Sequence, residues 1–333
     1  MPAQADARTP LLSDSQGLPT SFASGQVQDH PIFLRVCHSP WTWMSQGGLV
    51  YTRAFILLYL TALAPMLVDY KLTKREDLEN PWCILFKFST LTFFLLWIYH
   101  LVAFAWSFTH LYYPDIDEND GRWESKILWK MSPPVQTMHS RKRFYFSVFY
   151  TAVHVFAFMN VIIYWAVSVP NGHGHFPKGE GEGESVFSAA EDFWSNGWFE
   201  PFCLINLWGV TALIAFIEVL ILNSIKRQVP VPSHISIITF LLSSYLGWAA
   251  FGQLLTEQAA FFWMDPKEVE YTEVITGCCA GFVAFGSVVF AFLYGLIGMR
   301  ETLTAKDNGQ KPNFNAMQEE FQRAMGQPSQ GAQ

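Results

Sequence analysis

The chain has 333 residues, of which 51% are hydrophobic and only 15% are charged. This composition is too apolar and too weakly charged for an ordinary soluble domain, so the sequence indicates a membrane protein. The net charge of −7 and the clustering of the basic residues give no nucleic-acid-binding face. The five cysteines lack the spacing of a disulfide or zinc framework.

Two polar tails flank the apolar part of the chain. Residues 1–48 are rich in Ser, Gln, Pro and Gly, a composition that cannot bury enough apolar surface to offset the entropy of ordering. We therefore predict a disordered cytosolic tail over 1–48. A second cytosolic tail, 300–333, places Phe314, Met317 and Phe321 on one face of a short amphipathic helix.

Six stretches are apolar enough to cross a bilayer, which takes about 20 mostly apolar residues. They are 49–69, 82–108, 144–169, 198–224, 235–262 and 274–299. The sequence therefore predicts an all-α fold, a polytopic membrane helix bundle with six transmembrane helices in one domain over 49–299.

The basic residues outside these helices predict the orientation of the bundle. Arg53 and Lys87 lie inside predicted helices, and the rest of the 21 Lys and Arg residues divide fourteen to five in favour of the side that carries the termini. Because positively charged loops stay in the cytosol, both termini are predicted to be cytosolic. We expect an integral membrane protein of the endoplasmic reticulum or another endomembrane.

Two polar loops resemble metal sites only in composition. The acidic run that starts at Asp115 puts Asp120 where a calcium loop needs glycine and Lys126 where it needs its last glutamate. The loop on the opposite side holds His173 and His175 near several glutamates, but a structural metal site needs rigid ligands at fixed spacing. The sequence therefore predicts no metal site and no cofactor.

Polar residues inside the predicted helices form two layers when depth is measured by a helical rise of about 1.5 Å per residue. The luminal layer contains Thr90, Thr92, Asn160, Asn206, Trp208 and Gln253. The cytosolic layer contains His100, His154 and Glu218, and Thr211 shares a helix face with Glu218. Since a carboxylate in the hydrocarbon costs about 2.5–3.5 kcal/mol on insertion scales, we expect Glu218 to bond to His154 or His100. Each of these polar residues taken alone also fits a structural role in joining helices.

Four short segments resemble the androgen-induced-gene family of six-span membrane proteins, to which the Rolling-stone-like proteins are similar. They are Asp69-Tyr70-Lys71, Lys87-Phe88-Ser89-Thr90, Ile162-Ile163-Tyr164 and the fourth predicted helix ending in Glu218. Characterised members of that family are intramembrane hydrolases of fatty-acid esters of hydroxy fatty acids. The resemblance implies membrane lipids, including a fatty-acid ester, as partners. It also implies Thr90 as the nucleophile, with Thr92 as the alternative.

The chain departs from the family pattern at Trp208, which stands ten residues before Glu218 in the place of the family histidine. A tryptophan does not accept a proton, and a threonine hydroxyl needs a base within hydrogen-bond reach. Either His154 or His100 supplies the base, or the residues do something else, or the fold has been kept without the activity. By helical rise the two histidines lie roughly 8–15 Å deeper than Thr90, so a water chain or a bent helix would have to bridge the gap.

The leading hypothesis is a threonine-dependent intramembrane lipid-ester hydrolase, or a lipid-binding relative of one. Its candidate catalytic residues are Thr90, Thr92, His154 and His100. Its pocket residues are Asn160, Asn206, Trp208, Thr211, Glu218 and Gln253, among which Trp208 shapes the pocket without transferring a proton. The alternative is a non-enzymatic membrane scaffold or a small-solute transporter, although the two halves of the chain lack the internal repeat common in transporters.

Overall fold

The protein is a bundle of helices in a computed structural model that describes residues 32–73, 80–114, 122–134, 141–172 and 197–307. Within these ranges six helices are long and apolar enough to cross a membrane, and no strand occurs. The predicted all-α bundle with six membrane-spanning helices is confirmed.

Two short helices accompany the six long ones. In chain order the helices are α1 (Ile32–Cys37), α2 (Gln46–Thr73), α3 (Phe88–Tyr112), α4 (Trp123–Met131), α5 (Arg141–Ile163), α6 (Phe199–Leu222), α7 (Val231–Thr256) and α8 (Thr272–Asp307). A π-helical turn, Tyr164–Ser168, continues α5, and two more π-helical turns, Asn206–Val210 and Glu218–Leu222, interrupt α6.

Helix α5 forms the centre of the bundle. In its most apolar window 72% of the residues are buried, against 28–44% in the other five spanning helices. Residues 150–160 are all buried, so α5 is enclosed on every side over about three turns. Helices α3, α6 and α8 pack against it, while α2 packs on α3 and α7 on α8. A helix enclosed in this way carries apolar residues around its whole circumference rather than along one stripe.

The prediction of a disordered tail over 1–48 is wrong for residues 32–48, which form α1, a turn and the start of α2. Phe33 is 1% exposed, and its ring centroid lies 5.4 Å from that of Trp106 and 5.6 Å from that of Phe146. Burial of these few apolar side chains against α3 and α5 outweighs the polar composition of the surrounding sequence. Burial also raises the pKa of the Cys37 thiol to about 12, so the thiol stays protonated at neutral pH. Residues 1–31 and the predicted amphipathic helix in the C-terminal tail lie outside the described residues.

The second spanning helix starts at Phe88 rather than at the predicted residue 82. Pro81 opens a 3₁₀ segment, Pro81–Phe86, and the side chain of Asn80 caps it by accepting a hydrogen bond from the Trp82 N–H at 3.1 Å. Lys87 is extended, with φ −72° and ψ 133°, so the α-helical hydrogen-bond pattern begins only after it.

Helix α7 holds this 3₁₀ segment in place. The hydroxyl of Tyr245 donates to the carbonyl of Phe86 at 3.0 Å, and the indole N–H of Trp248 donates to the carbonyl of Leu85 at 3.3 Å. These bonds give partners to the last two carbonyl groups of the 3₁₀ segment. They also fix the position of the first turn of α3, which carries Ser89 and Thr90.

The carbonyl groups at the end of α6 and just beyond it accept hydrogen bonds from side chains of other segments. The donors are Arg300 to Val219 (2.7 Å), Trp41 to Leu220 (2.8 Å), Ser39 to Ile221 (2.8 Å), Arg53 to Leu222 (2.9 Å), Arg300 to Asn223 (2.8 Å) and Arg35 to Ser224 (3.3 Å). The last carbonyls of a helix have no partner within it, and cations are favoured at this negative end. The capping therefore ties α6 to α1, α2 and α8.

Candidate functional site

A cavity of about 610 Å³ lies at the end of the bundle where α2 ends and α3 begins. The end of α5, the first turns of α6 and the segment after α7 complete its wall. Its lining includes Lys71, Lys87, Ser89, Asn160, Ile163, Tyr164, Leu204, Leu207, Trp208, Phe261 and Lys267. The carboxylates of Glu257, Asp265 and Glu268 also line the cavity. The cavity thus combines amines, carboxylates, hydroxyls and amides with aliphatic and aromatic side chains, a mixture that suits an amphipathic ligand.

Lys71 joins this cavity to two hydroxyl groups of α3. Its Nζ lies 3.0 Å from Ser89 Oγ and 2.7 Å from Thr90 Oγ1. Ser89 is 6% exposed and lines the cavity, whereas Thr90 is half-buried and does not line it. The predicted first helix ended at residue 69, but α2 continues to Thr73, and this extension brings Lys71 over the first turn of α3.

Two π-helical turns meet at the cavity wall. Tyr164, on the turn that ends α5, stacks on Trp208, on the first π-helical turn of α6, with ring centroids 4.2 Å apart and planes 3° apart. The indole N–H of Trp165 donates to the carbonyl of Trp208 at 2.8 Å. Such turns are rare and often occur at functional sites, because each reorients the side chains it carries. Trp208 therefore forms part of the cavity wall.

Of the other predicted pocket residues, only Asn160 lines the cavity, and its Nδ2 donates to the carbonyl of Leu207 at 3.3 Å. Asn206 faces α2 instead, where its Oδ1 accepts from the hydroxyl of Tyr59. Thr211 donates to the carbonyl of Leu207 in its own helix at 3.0 Å. Gln253 is half-buried and does not line the cavity.

Thr92 does not meet Lys71. It is 1% exposed, and its hydroxyl has no hydrogen-bond partner among the residues described. It therefore lies in the core beneath the cavity rather than at its surface.

Glu218 belongs to a second polar cluster, in the interior of the bundle. It is wholly buried, and its Oε1 accepts hydrogen bonds from Arg53 Nη2 and from the hydroxyl of Tyr99, each at 2.8 Å. The predicted hydrogen bond to His154 or His100 is wrong, because neither ring bonds to the carboxylate. An arginine from α2 takes that place, and a charge-assisted bond of this kind is about twice as strong as a neutral one.

We call Arg53, Tyr99, His100, His154 and Glu218 the ionic centre. The ring centroid of Tyr99 lies 5.5 Å from that of His100 and 5.0 Å from that of His154. Neither histidine lines the cavity. Along α5, His154 stands six residues before Asn160, which is about 9 Å of helical rise. The structure therefore places the two histidines away from the hydroxyl groups of Ser89 and Thr90.

Arg53 is 0% exposed and makes three further hydrogen bonds. Its guanidinium donates to the carbonyls of Ala103 (3.1 Å) and Leu222 (2.9 Å) and to the hydroxyl of Ser107. A buried ion pair is tolerated only when such extra bonds offset the loss of hydration. The sequence places Arg53 inside the first predicted helix but does not identify its partners, because a single sequence does not show which face of a helix meets its neighbours.

Comparison of the chain with protein-family models, with curated proteins and with solved structures gave no match. The resemblance to the androgen-induced-gene family therefore stays a prediction that rests on four short segments.

Within the described ranges, no three or more His, Cys, Asp or Glu side chains are grouped so that they could hold a metal ion. The loop histidines His173 and His175 lie outside those ranges.

Proposed function

We propose that this multi-pass membrane protein hydrolyses the ester bond of an amphipathic membrane lipid, with Ser89 as the nucleophile and Lys71 as the base. The observation that carries the proposal is the position of Lys71 Nζ, 3.0 Å from a serine hydroxyl that lines an amphipathic cavity. A hydroxyl group becomes a useful nucleophile when a base within hydrogen-bond reach takes its proton. Lysine serves as that base in the serine–lysine variants of the catalytic triad.

The proposed reaction has two steps. In the first, the uncharged amine of Lys71 takes the proton of Ser89 while Oγ attacks the ester carbonyl carbon. The C–O bond to the alcohol then breaks, and the alcohol leaves with the proton that Lys71 carried. In the second step Lys71 takes a proton from water, the resulting hydroxide attacks the acyl-enzyme, and the fatty acid leaves as Ser89 recovers its proton.

The position of Ser89 stabilises the negative charge that develops in the transition state of this reaction. It lies in the first turn of α3, a helix of 25 residues, whose N-terminal end carries a partial positive charge. The oxygen of an attacked ester becomes negative in the transition state, and preorganised positive dipoles stabilise it.

The side chains that form the walls of the cavity suit a lipid substrate. Ile163, Leu204 and Leu207 give it an aliphatic side and Trp208 an aromatic one. An acyl chain that enters from the bilayer already lies in an apolar phase, so these walls accommodate the chain without a gain from its transfer out of water. Lys87 also lines the cavity, and its Nζ donates to the carbonyl of Ala259 at 2.6 Å.

In this proposal Lys71, and neither His154 nor His100, replaces the histidine base of the family pattern that this chain lacks. Thr90 shares Lys71 with Ser89 at 2.7 Å and is the second candidate nucleophile. The mutational test therefore treats the two hydroxyl groups separately.

The test measures the turnover of a fatty-acid ester of a hydroxy fatty acid by the purified chain in liposomes. We expect Ser89→Ala and Lys71→Met each to lower turnover by about 10²–10⁴-fold, the usual contribution of a positioned base and its partner. Thr90→Val should change turnover less than threefold. Lys267→Met is the matched control, since Lys267 is an exposed lysine that lines the same cavity. Parental turnover in Ser89→Ala would refute the assignment, and a loss confined to the Thr90 variant would move the nucleophile to Thr90.

We also propose that both termini are cytosolic and that the membrane is that of the endoplasmic reticulum or another endomembrane. The unequal distribution of basic residues supports the orientation. It puts α4 in the cytosol and the cavity at the opposite face of the membrane.

A matched pair of exposed glutamates tests this orientation, Glu124 on α4 and Glu270 in the segment between α7 and α8. In a cysteine-free background, an impermeant maleimide added after selective opening of the plasma membrane should label Glu124→Cys. It should label Glu270→Cys only after all membranes are dissolved. The reverse order of labelling would invert the topology.

A further inference from the structure

The ionic centre contains an unusual number of buried polar atoms without a hydrogen-bond partner among the described residues. They are Arg53 Nε, Glu218 Oε2, both ring nitrogens of His100 and Nε2 of His154. All four side chains are 0% exposed. Buried polar atoms are almost always paired with protein or with ordered water, so a cluster of five unpaired atoms requires a physical cause.

These atoms belong to one place in the bundle. Tyr99 binds Glu218 through its hydroxyl, and its ring lies against those of His100 and His154. Glu218 lies within electrostatic range of both histidines. The side chains that carry the unpaired atoms therefore come from α2, α3, α5 and α6, and each contacts Tyr99 or forms part of the Arg53–Glu218 pair.

The hydrogen bond that His154 makes through Nδ1 determines that its Nε2 requires a hydrogen-bond donor. Its Nδ1 lies 2.7 Å from the carbonyl oxygen of Tyr150, and a carbonyl only accepts, so Nδ1 carries the proton. In the neutral ring Nε2 is then an acceptor. Glu218 Oε2 is an acceptor too, and two acceptors do not bond to each other.

A water molecule supplies what these groups lack. It offers two donors and two acceptors, so it satisfies two acceptors and also receives the N–H of His100 or of Arg53 Nε. Ordered buried waters typically make about three hydrogen bonds to buried polar groups of this kind. A metal ion does not fit, since Arg53 is a cation and no group of three or more metal-ligating side chains occurs within the described ranges.

We propose that the ionic centre is a binding site for ordered water, in which a water molecule donates to Glu218 Oε2 and to His154 Nε2. The site is separate from the cavity, because none of the five residues of the ionic centre lines the cavity. Bound water gives the carboxylate and both imidazole rings a route for exchanging protons in the membrane interior. This is a role in which ionisable residues within membranes recur.

The test is solid-state NMR of the full chain in liposomes, with ¹⁵N-labelled histidine and ¹³C-labelled methionine methyl groups. Magnetisation is transferred from water protons, and the build-up time is recorded for each ring nitrogen. The signals are assigned from spectra of His100→Gln and His154→Gln. The methyl group of Met159, a residue of α5 that is 0% exposed, is the dry reference.

We expect a neutral His154 that is protonated on Nδ1, with transfer from water to the rings of His154 and His100 at least tenfold faster than to the Met159 methyl group. Build-up as slow as that of Met159 would mean a dry centre and would overturn the proposal. A doubly protonated His154 would also overturn it, because a charged imidazolium would pair with Glu218 directly.

Discussion

Replacement of Arg53 by methionine should lower the free energy of unfolding by about 3–5 kcal/mol, because it leaves the carboxylate of Glu218 buried without its cation. Both side chains are 0% exposed and meet at 2.8 Å. The substitution also removes the donors to the carbonyls of Ala103 and Leu222. Unfolding of the purified protein in detergent, followed by heat or by added SDS, measures the effect.

The control for this prediction is the double variant Arg53→Met with Glu218→Leu. Removal of both charges should recover most of the lost stability, since apolar replacement of a whole buried ion pair is often neutral or stabilising. The single variant Glu218→Leu should be destabilised as well, because it leaves the guanidinium of Arg53 buried without its carboxylate partner. If Arg53→Met unfolded like the parent, the pair would not contribute to the stability of the bundle.

The second large effect is expected for Arg300→Leu, with a loss of at least about 3 kcal/mol, since each buried polar group left unpaired costs about 1–3 kcal/mol. Arg300 is 1% exposed. It donates to the carbonyls of Val219 and Asn223 and to the Asn223 side chain at 2.7–2.9 Å, and also to the carbonyl of Ile225. Its loss would release the end of α6 from α8.

A neighbouring ion pair provides the contrast for Arg300. Arg227 and Glu301 meet at 2.9 Å, but their side chains are 13% and 23% exposed. Glu301→Gln should therefore cost less than about 1 kcal/mol, as partly solvated pairs usually do. Equal losses in Arg300→Leu and Glu301→Gln would contradict the capping role of Arg300.

The six helices could be predicted from the sequence because each depends on a local property, an apolar stretch long enough to cross a bilayer. The predictions are wrong for segments in which local composition indicates one structure and tertiary contacts stabilise another. Residues 32–37 are few and lie beside a polar tail, yet Phe33 and Val36 are buried against other helices. The apolar residues Trp82 and Leu85 predict too early a start for α3, although the dipeptide Asn80-Pro81 indicates a turn.

The site could be predicted only in part, for a related reason. The depth of a residue in the membrane follows from its position in a helix, and depth alone predicts that Asn160 and Trp208 lie at the same level. Both residues line the cavity. Rotation about the helix axis and the choice of partner do not follow from depth. The partner of Glu218 was therefore assigned to a histidine rather than to Arg53. Lys71 belongs to the segment Asp69-Tyr70-Lys71, but its position beyond residue 69, where the first predicted helix ends, indicates a loop residue.

The most direct test of the account is to locate the covalent adduct that a lipid fluorophosphonate forms with the purified chain in liposomes. Such a probe reacts with a hydroxyl group only where a base activates it. After digestion, mass spectrometry identifies the modified peptide and residue. We expect an adduct on Ser89 that is lost in Lys71→Met and kept in Lys267→Met. The absence of any adduct, while a serine hydrolase reconstituted in the same liposomes is labelled, would contradict it.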